Sequence, residues 1–287
     1  MIGDAMQMRP MTAADIPDGL RLCRASGWNQ LESDWRMFLE CNPAGCRVAV
    51  RDRNVVGTVT TLKYEEKFGW ISMLLVDPDW RGRGIGTRLL QESVDLLASA
   101  GTARLDATPA GKVVYDKMGF QEEYRLMRMR AASPVRDRSA GVTTRVRAIA
   151  AGDWARLLDW DRRVFGADRS AILRRVHASA PEYALMAESA GEIKGYLFGR
   201  HGFRSEHLGP LVAIDEPTAR GLVLTCLSRY ADKSWLTDAP QHSPEWRAWL
   251  ESLGFVAERP FIRMFRGANS YPGLPHQVFA IAGPELG

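Results

Sequence analysis

Along the chain, short apolar runs closed off by turn residues alternate with stretches in which apolar positions recur every three or four residues. That alternation predicts strands separated by helices, a mixed α/β fold. Residues 70–76, WISMLLV, form one compact run with Gly69 before it and Asp77-Pro78 after it, and read as a buried strand. The segment Asp79-Trp80-Arg81-Gly82-Arg83-Gly84-Ile85-Gly86-Thr87 follows. Beyond it Leu90, Val94, Leu97 and Ala98 stand at helical spacing, and Gly101 is placed to end that helix. Earlier, residues 47–50 and 55–62 flank a polar turn at 51–54 and predict a hairpin, while residues 103–106 predict another strand.

The same order of elements recurs later in the chain, which points to a tandem duplication. Met8-Arg9-Pro10 before Ala14-Asp15-Ile16 is matched by Val146-Arg147-Ala148 before Gly152-Asp153-Trp154, in each case a short strand and then an acidic helix start. A strand, turn and strand at 184–188, 189–192 and 193–199 answer the first hairpin. Each half closes with a helix ending in Gly-Phe and a last strand, at 115–120 and 125–129 in the first half and at 246–255 and 261–265 in the second. Between the halves, residues 131–141 (AASPVRDRSAG) lose the apolar period and read as a linker. The expected organisation is a first domain over residues 1–130, a linker over 131–142, a second domain over 143–267, and a tail over 268–287 whose apolar run at 278–282 can add a strand.

With 287 residues, 46% of them hydrophobic and 25% charged, the chain has the apolar material for two cores. The net charge of +4 comes from Lys and Arg scattered without a long run, the pattern of a solvated surface and not of a nucleic-acid-binding face. Cys23, Cys41, Cys46 and Cys226 form no CxxC pair, and His177, His201, His207, His242 and His276 form no HxH or HxxxH pattern, so free thiols and no metal are expected. No apolar run approaches the roughly 20 residues needed to cross a bilayer, and the opening residues carry Asp4 in place of a long apolar core. The expectation is a cytoplasmic protein with no membrane partner.

The glycine-rich segment carries the chemistry. A strand, a turn with alternating Gly82, Gly84 and Gly86, and a helix start aim unpaired backbone N–H groups and the positive end of the helix dipole at one spot, which suits a phosphate. Glycine leaves the main chain open to close approach, and Arg81 and Arg83 can add charge-assisted hydrogen bonds. The P-loop pattern fails because no Lys follows Gly86, and the dinucleotide fingerprint fails because Gly84-Ile85-Gly86 continues as Thr87-Arg88-Leu89.

Val76-Asp77-Pro78 followed by Arg81-Gly82-Arg83-Gly84-Ile85-Gly86 resembles the acetyl-CoA motif of the GNAT superfamily of N-acetyltransferases, and Tyr115-Asp116-Lys117-Met118-Gly119-Phe120 is similar to that family's Y-x-K-x-G-F. The resemblance covers residues 6–130 and implies a mixed sheet flanked by helices and splayed open at its fourth strand, with the pantetheine arm of acetyl-CoA in the opening. It also implies cofactor contacts from Leu75, Val76, Arg81, Gly82, Arg83, Gly84, Ile85, Gly86, Thr87, Thr108 and Tyr115, and direct acetyl transfer within a ternary complex. The second half resembles the family more faintly. Leu253-Gly254-Phe255 matches, but Trp249 replaces Tyr115, and Ile214-Asp215-Glu216-Pro217-Thr218-Ala219-Arg220-Gly221 puts two carboxylates where phosphates would approach. Two tandem GNAT-like domains are expected, the second degenerate and without cofactor, and the ending FAIAGPELG is similar to that of tandem GNAT proteins.

Tyr115 is the expected general acid, because a phenol of ordinary pKa, about 10, carries a proton at neutral pH for the departing sulfur. The strand at 70–76 lacks the Glu that many relatives carry there, and Thr108-Pro109-Ala110-Gly111 lacks their Asn. Trp28, Asn29, Gln30 and Asp34 fall where the family builds its acceptor pocket. The indole can pack a flat substrate and the three polar groups can bind an amine; a helix-capping loop over core tryptophans is an equal alternative. Asp238 and His242 follow a strand of the second half and can face the first half's opening. The expected activity is acetyl transfer from acetyl-CoA to a primary amine of a small molecule, by a monomer or homodimer. The alternatives are acetylation of a protein Lys or N-terminus, and a non-catalytic acetyl-CoA sensor.

Overall fold

The computed structural model describes residues 6–134, 145–230 and 232–287. The first half runs β1 (Gln7–Pro10), α1 (Ile16–Ala25), α2 (Glu32–Cys41), β2 (Arg47–Arg51), β3 (Asn54–Tyr64), β4 (Phe68–Val76), α3 (Ile85–Leu96), β5 (Thr102–Ala107), α4 (Pro109–Lys117) and β6 (Gln121–Ala131). The second half repeats that order as β7 (Arg145–Ala148), α5 (Trp154–Phe165), α6 (Ser170–Ser179), β8 (Leu185–Ser189), β9 (Glu192–Arg200), β10 (Glu206–Ala213), α7 (Glu216–Arg229), β11 (Trp235–Pro240), α8 (Pro244–Ser252) and β12 (Val256–Gly267). A last short strand, β13 (Val278–Ala280), follows. Of the expected linker, Ala131 ends β6 and residues 135–142 lie outside the described residues.

The repeated entry into the first helix of each half rests on one device used twice. Asp15 accepts a hydrogen bond from the Thr12 amide at 2.8 Å, and Asp153 accepts one from the Ala150 amide at 2.7 Å, each closing the turn ahead of its helix. Arg9 and Arg147 clasp these carboxylates from the preceding strand. The guanidinium bonds outweigh burial and hold both carboxyls down at about 2.

All the long strands form one sheet in the order β1-β2-β3-β4-β5-β12-β6-β11-β10-β9-β8-β7, with β13 attached to β10. The last long strand of each half has crossed to the other. β12 lies between β5 and β6, pairing Ile262 with Ala107 and Phe261 with Leu126, while β6 pairs on its far side with β11, from Leu126↔Pro240 to Ala131↔Trp235. Residues 1–130 and 143–267 are thus consecutive in the chain, but neither range completes its own sheet. Both exchanged strands extend well beyond the apolar stretches at 125–129 and 261–265. Their extra length, QEEY in β6 and VAERP in β12, keeps no regular apolar period, and their buried Arg128 and Arg263 find acidic partners on other strands, so alternation alone does not mark their ends.

One hydrophobic core is common to both halves. It gathers Trp35 and Phe38 from α2, Trp70 from β4, Phe165 from α5, Leu173 from α6, and Leu286 near the end of the sequence. Separate clusters lie under α3 in the first half and α7 in the second. Among the described residues no helix is long and apolar enough to cross a membrane.

Candidate active site

β4 and β5 run parallel and pair only at Gly69↔Ala103 and Trp70↔Arg104; past that point they part. On its other side β4 stays with β3, but not evenly. Ser72 faces Thr60 and Leu75 faces Thr58, which leaves Met73 and Leu74 without partners in the register. Met73 sits in the left-handed region at φ +50°, which costs a residue of its bulk about 1–2 kcal/mol. Its burial and a 2.8 Å hydrogen bond from the Thr58 hydroxyl to its carbonyl hold the bulge in place. The sequence marks the strand but not the bulge, which follows from the pairing with β3.

The wider end of the opening meets the start of α3. Asp77 accepts a 3.1 Å bond from the Asp79 amide and a 2.5 Å bond from Arg21, which fixes the exit from β4. Gly82 and Gly84 adopt φ of +73° and +77°, and no atom stands within 4 Å of where a Cβ would project from either. Gly84 is the N-cap of α3 and supplies no side-chain cap, so the first-turn amides are free of one. These are the attributes of an anion cradle at a helix mouth. The opening here has a volume of about 620 Å³ and is walled by Leu75, Val76, Arg81, Gly82, Gly84, Ile85, Gly86 and Thr87 on one side and Thr108 and Tyr115 on the other. Arg83 is not on this wall. Its guanidinium stacks 4.6 Å from the Trp80 ring and donates to the Asp79 carbonyl at 3.3 Å, so its charge is directed back at its own turn.

At its narrow end the opening continues into a chamber of about 80 Å³. Trp28, Leu74, Thr108 and Tyr115 border both spaces. Burial alone pushes the Tyr115 phenol up to about 12, so it keeps its proton throughout the neutral range. Of the four acceptor-pocket candidates, Trp28 and Gln30 border the chamber. Asn29 does not; its side chain holds the loop after β9, donating to the Ser205 carbonyl at 2.8 Å and accepting from the Arg204 amide at 2.8 Å. Asp34 is also engaged elsewhere, closing the start of α2 through the Leu31 amide at 2.7 Å and accepting from Arg200 at 2.8 Å.

The chamber wall includes residues that sequence reasoning missed: Asp106, Arg128, Phe261 and, from the closing segment, Pro284 and Glu285. Arg263 binds Asp106 through two 2.9 Å bonds, and Arg128 binds Asp238 through two 2.8 Å bonds. Asp238, expected at the opening, reaches the chamber only through Arg128; on its other side it meets His207 Nε2 at 3.1 Å. His242 is not on the wall. The available signal was charge inside strand patterns, as in RLMRMRA of β6 and FIRMF of β12, where an Arg amid apolar residues demands a buried acid.

The matching place in the second half is closed at three points. The β10 bulge, flanked by Leu208↔Gly199 and Leu211↔Leu197, falls on Gly209 and Pro210, so the residue in the place of Leu74 has no N–H. The mouth of α7 is occupied by the Asp215 carboxylate, which accepts from the Thr218 amide at 2.9 Å. The gap itself is filled by β13, which pairs Leu211↔Ala280 and Val212↔Val278 on β10, while the Ile281 amide donates to the Asp238 carbonyl of β11 at 3.0 Å.

A mixed sheet parted beside a bulged fourth strand, with a glycine-opened helix mouth at the wide end, defines the acetyltransferase fold that the motifs implied, and the chain belongs to the GNAT superfamily. Two family models match it, the acetyltransferase (GNAT) family over residues 16–120 and an acetyltransferase (GNAT) domain over residues 157–280. It is an N-acetyltransferase built from two GNAT domains. Among its relatives is the holothin acyltransferase of Pseudoalteromonas sp. (strain SANK 73390), 24% identical over 264 residues, 92% of this chain and 88% of the relative. A predicted acetyltransferase of Pyrococcus horikoshii shares the fold with a TM-score of 0.80 at 22% identity, over 100% of this chain and 97% of that one. A tandem GNAT protein from the clavulanic acid biosynthesis pathway superposes with a TM-score of 0.65 at 15% identity, over 92% and 98% of the two chains.

Proposed function

We propose that the chain transfers an acetyl group directly from acetyl-CoA to the primary amine of a small molecule, at the β4–β5 opening alone. The observation that carries this reading is the bulge. It leaves Leu74 without a register partner on β3, at the border between a wide opening and a small chamber. The free amides of α3, approached without side chains at Gly82 and Gly84, suit a diphosphate. Leu75 and Val76 flank the path of a pantetheine arm. Acetyl-CoA supplies an activated thioester; the remaining work belongs to the protein. The Leu74 N–H donates to the carbonyl oxygen as negative charge builds there. Tyr115 borders both spaces and gives its proton to the departing sulfur.

Direct transfer is supported by the state of the thiols. Burial pushes Cys23, Cys46 and Cys226 up to about 12, and none of the four cysteines borders either space, so no thiolate is at hand to carry the acetyl group. A chamber of about 80 Å³ favours a small acceptor over a protein Lys or N-terminus, which needs an open groove. With a carboxylate at the α7 mouth and β13 in the gap, the second half takes no cofactor.

Calorimetry with acetyl-CoA and CoA release across a panel of primary amines test the reading together. One equivalent bound and turnover with small amines are expected. Absence of association overturns it, and tight association without turnover on any amine turns the protein into a sensor.

A further inference from the structure

The closing segment of the chain has two ends with different duties. Its first residues form β13 and fill the second half's gap, and the chain then threads back through the common core to the first half's chamber. The path is fixed by side chains that bond its carbonyls: Trp70 Nε1 donates to the Pro284 carbonyl at 2.9 Å, Tyr64 donates to the Leu286 carbonyl at 2.7 Å, and Arg169 donates to the Gly287 carbonyl at 3.0 Å. Glu285 stands between these anchors, 3% exposed, and its side chain reaches the chamber wall.

The charges around the chamber do not balance in the same way. Arg263 answers Asp106, and Arg128 answers Asp238, each as a one-to-one bidentate pair. Arg200 alone serves two buried carboxylates, Asp34 and Glu285. Burial raises Asp34, which stands outside the chamber, whereas Arg200 and the Gln30 amide outweigh burial at Glu285 and hold it below its ordinary value. The wall therefore presents a carboxylate whose paired cation, Arg200, is shared with Asp34. Beside it, Gln30 is 5% exposed and its Oε1 has no hydrogen-bond partner among the described residues. Two acceptors without enough donors are costly to bury, and a ligand that brings N–H groups removes the deficit.

Building on the acetyl-transfer reading, we propose that Glu285 and Gln30 Oε1 are the amine-binding end of the acceptor site, which selects a small primary amine over neutral or anionic compounds of the same shape. The carboxylate, lent by the second half's closing segment, attracts the acceptor as its ammonium ion and accepts a hydrogen bond from the amine nitrogen, and Gln30 accepts a second. Both are binding groups. The proton that the ammonium ion must lose before it attacks passes to solvent water at the wide end of the opening.

The test titrates benzylamine, propylamine, benzyl alcohol and benzoate into the CoA-bound full chain. Benzylamine or propylamine is expected to bind at least about tenfold tighter than benzyl alcohol, as a charge-assisted pair implies, with benzoate weakest. Glu285→Gln lowers amine affinity by about tenfold or more while CoA affinity stays within twofold. Gln30→Leu, which leaves the Arg200 pairs intact, lowers it by a smaller factor and keeps the test alive should Glu285→Gln fail to fold. Asp34→Asn removes the other partner of Arg200 without touching the chamber; it lowers the melting temperature and leaves amine affinity within twofold. Equal binding of benzoate and the amines, or amine affinity unmoved by both wall variants, overturns the proposal and leaves acetyl transfer standing. Failure of the native chain to bind CoA instead removes the acetyl-transfer reading beneath it.

Discussion

The two openings of this protein are built on one plan and have opposite fates. At β4–β5 a bulged strand carries Leu74, a bare glycine caps α3, and the gap is open. At β10–β11 the bulge carries Pro210, an aspartate caps α7, and β13 lies in the gap. Around these differences the supporting parts agree, down to the Arg–Asp clasp ahead of the first helix in each half. A scaffold can thus repeat closely while its opening is filled through a few local differences. Here the second half still gives the first a strand and a chamber wall.

Copying the second half's features into the first breaks the comparison most sharply. Gly84→Asp gives α3 the carboxylate that α7 has, and Asp tolerates the φ of +77° better than most residues. A repulsion of about 3 kcal/mol between neighbouring charges predicts acetyl-CoA affinity about 100-fold weaker, read by calorimetry. Met73→Gly combined with Leu74→Pro copies Gly209-Pro210 and removes one donor; kcat is expected to fall about 100-fold with acetyl-CoA affinity changed far less. Tyr115→Phe, which takes away only the phenolic hydroxyl, is expected to lower kcat roughly 10- to 100-fold and leave cofactor affinity nearly intact. Native turnover should show no loss from ionisation of this phenol until the pH approaches about 12.

The smallest effects belong to what the halves share. Asp15→Ala and Asp153→Ala should each cost about 1 kcal/mol, measured by denaturant unfolding. Both carboxyls sit at about 2 in the folded chain, below their ordinary 3.8, so the stability they add is complete above that ordinary value and fades as pH falls toward 2. Melting curves between those values should show the loss in the native chain and a smaller one in each variant. Unequal costs for the two substitutions would show that the scaffold has diverged along with the sites.

Much of the wide opening was legible because its signals are local. Residues 70–87 contain a strand, its end, and the glycines of the helix mouth in one stretch. Spacing gives the position of Arg83 and not its direction, which Trp80 sets by stacking. The chamber was far less legible. Asp106 and Arg263 meet across 157 residues, and Arg128 and Asp238 across 110, and nothing near any of them in sequence names its partner. The exchange of β6 and β12 was hidden for the same reason: a strand's pattern tells which face is buried, not which neighbour it joins. Asn29 and Asp34 have the polarity expected of an acceptor site, but the backbone groups and Arg200 beside them claimed it.

The crossing of β12 between β5 and β6 has a bearing on how the molecule comes into being. A growing chain that has reached Ala131 already contains the acetyl-CoA motif, yet β5 and β6 have nothing between them until Val256–Gly267 has been synthesised. Until then two strand edges are bare, and such edges invite pairing with other chains. The order of synthesis therefore works as a built-in delay. The N-terminal portion can gather its helices early, but the sheet beside its opening closes up only once Val256–Gly267 has been made, and the unfinished sheet is exposed to aggregation meanwhile.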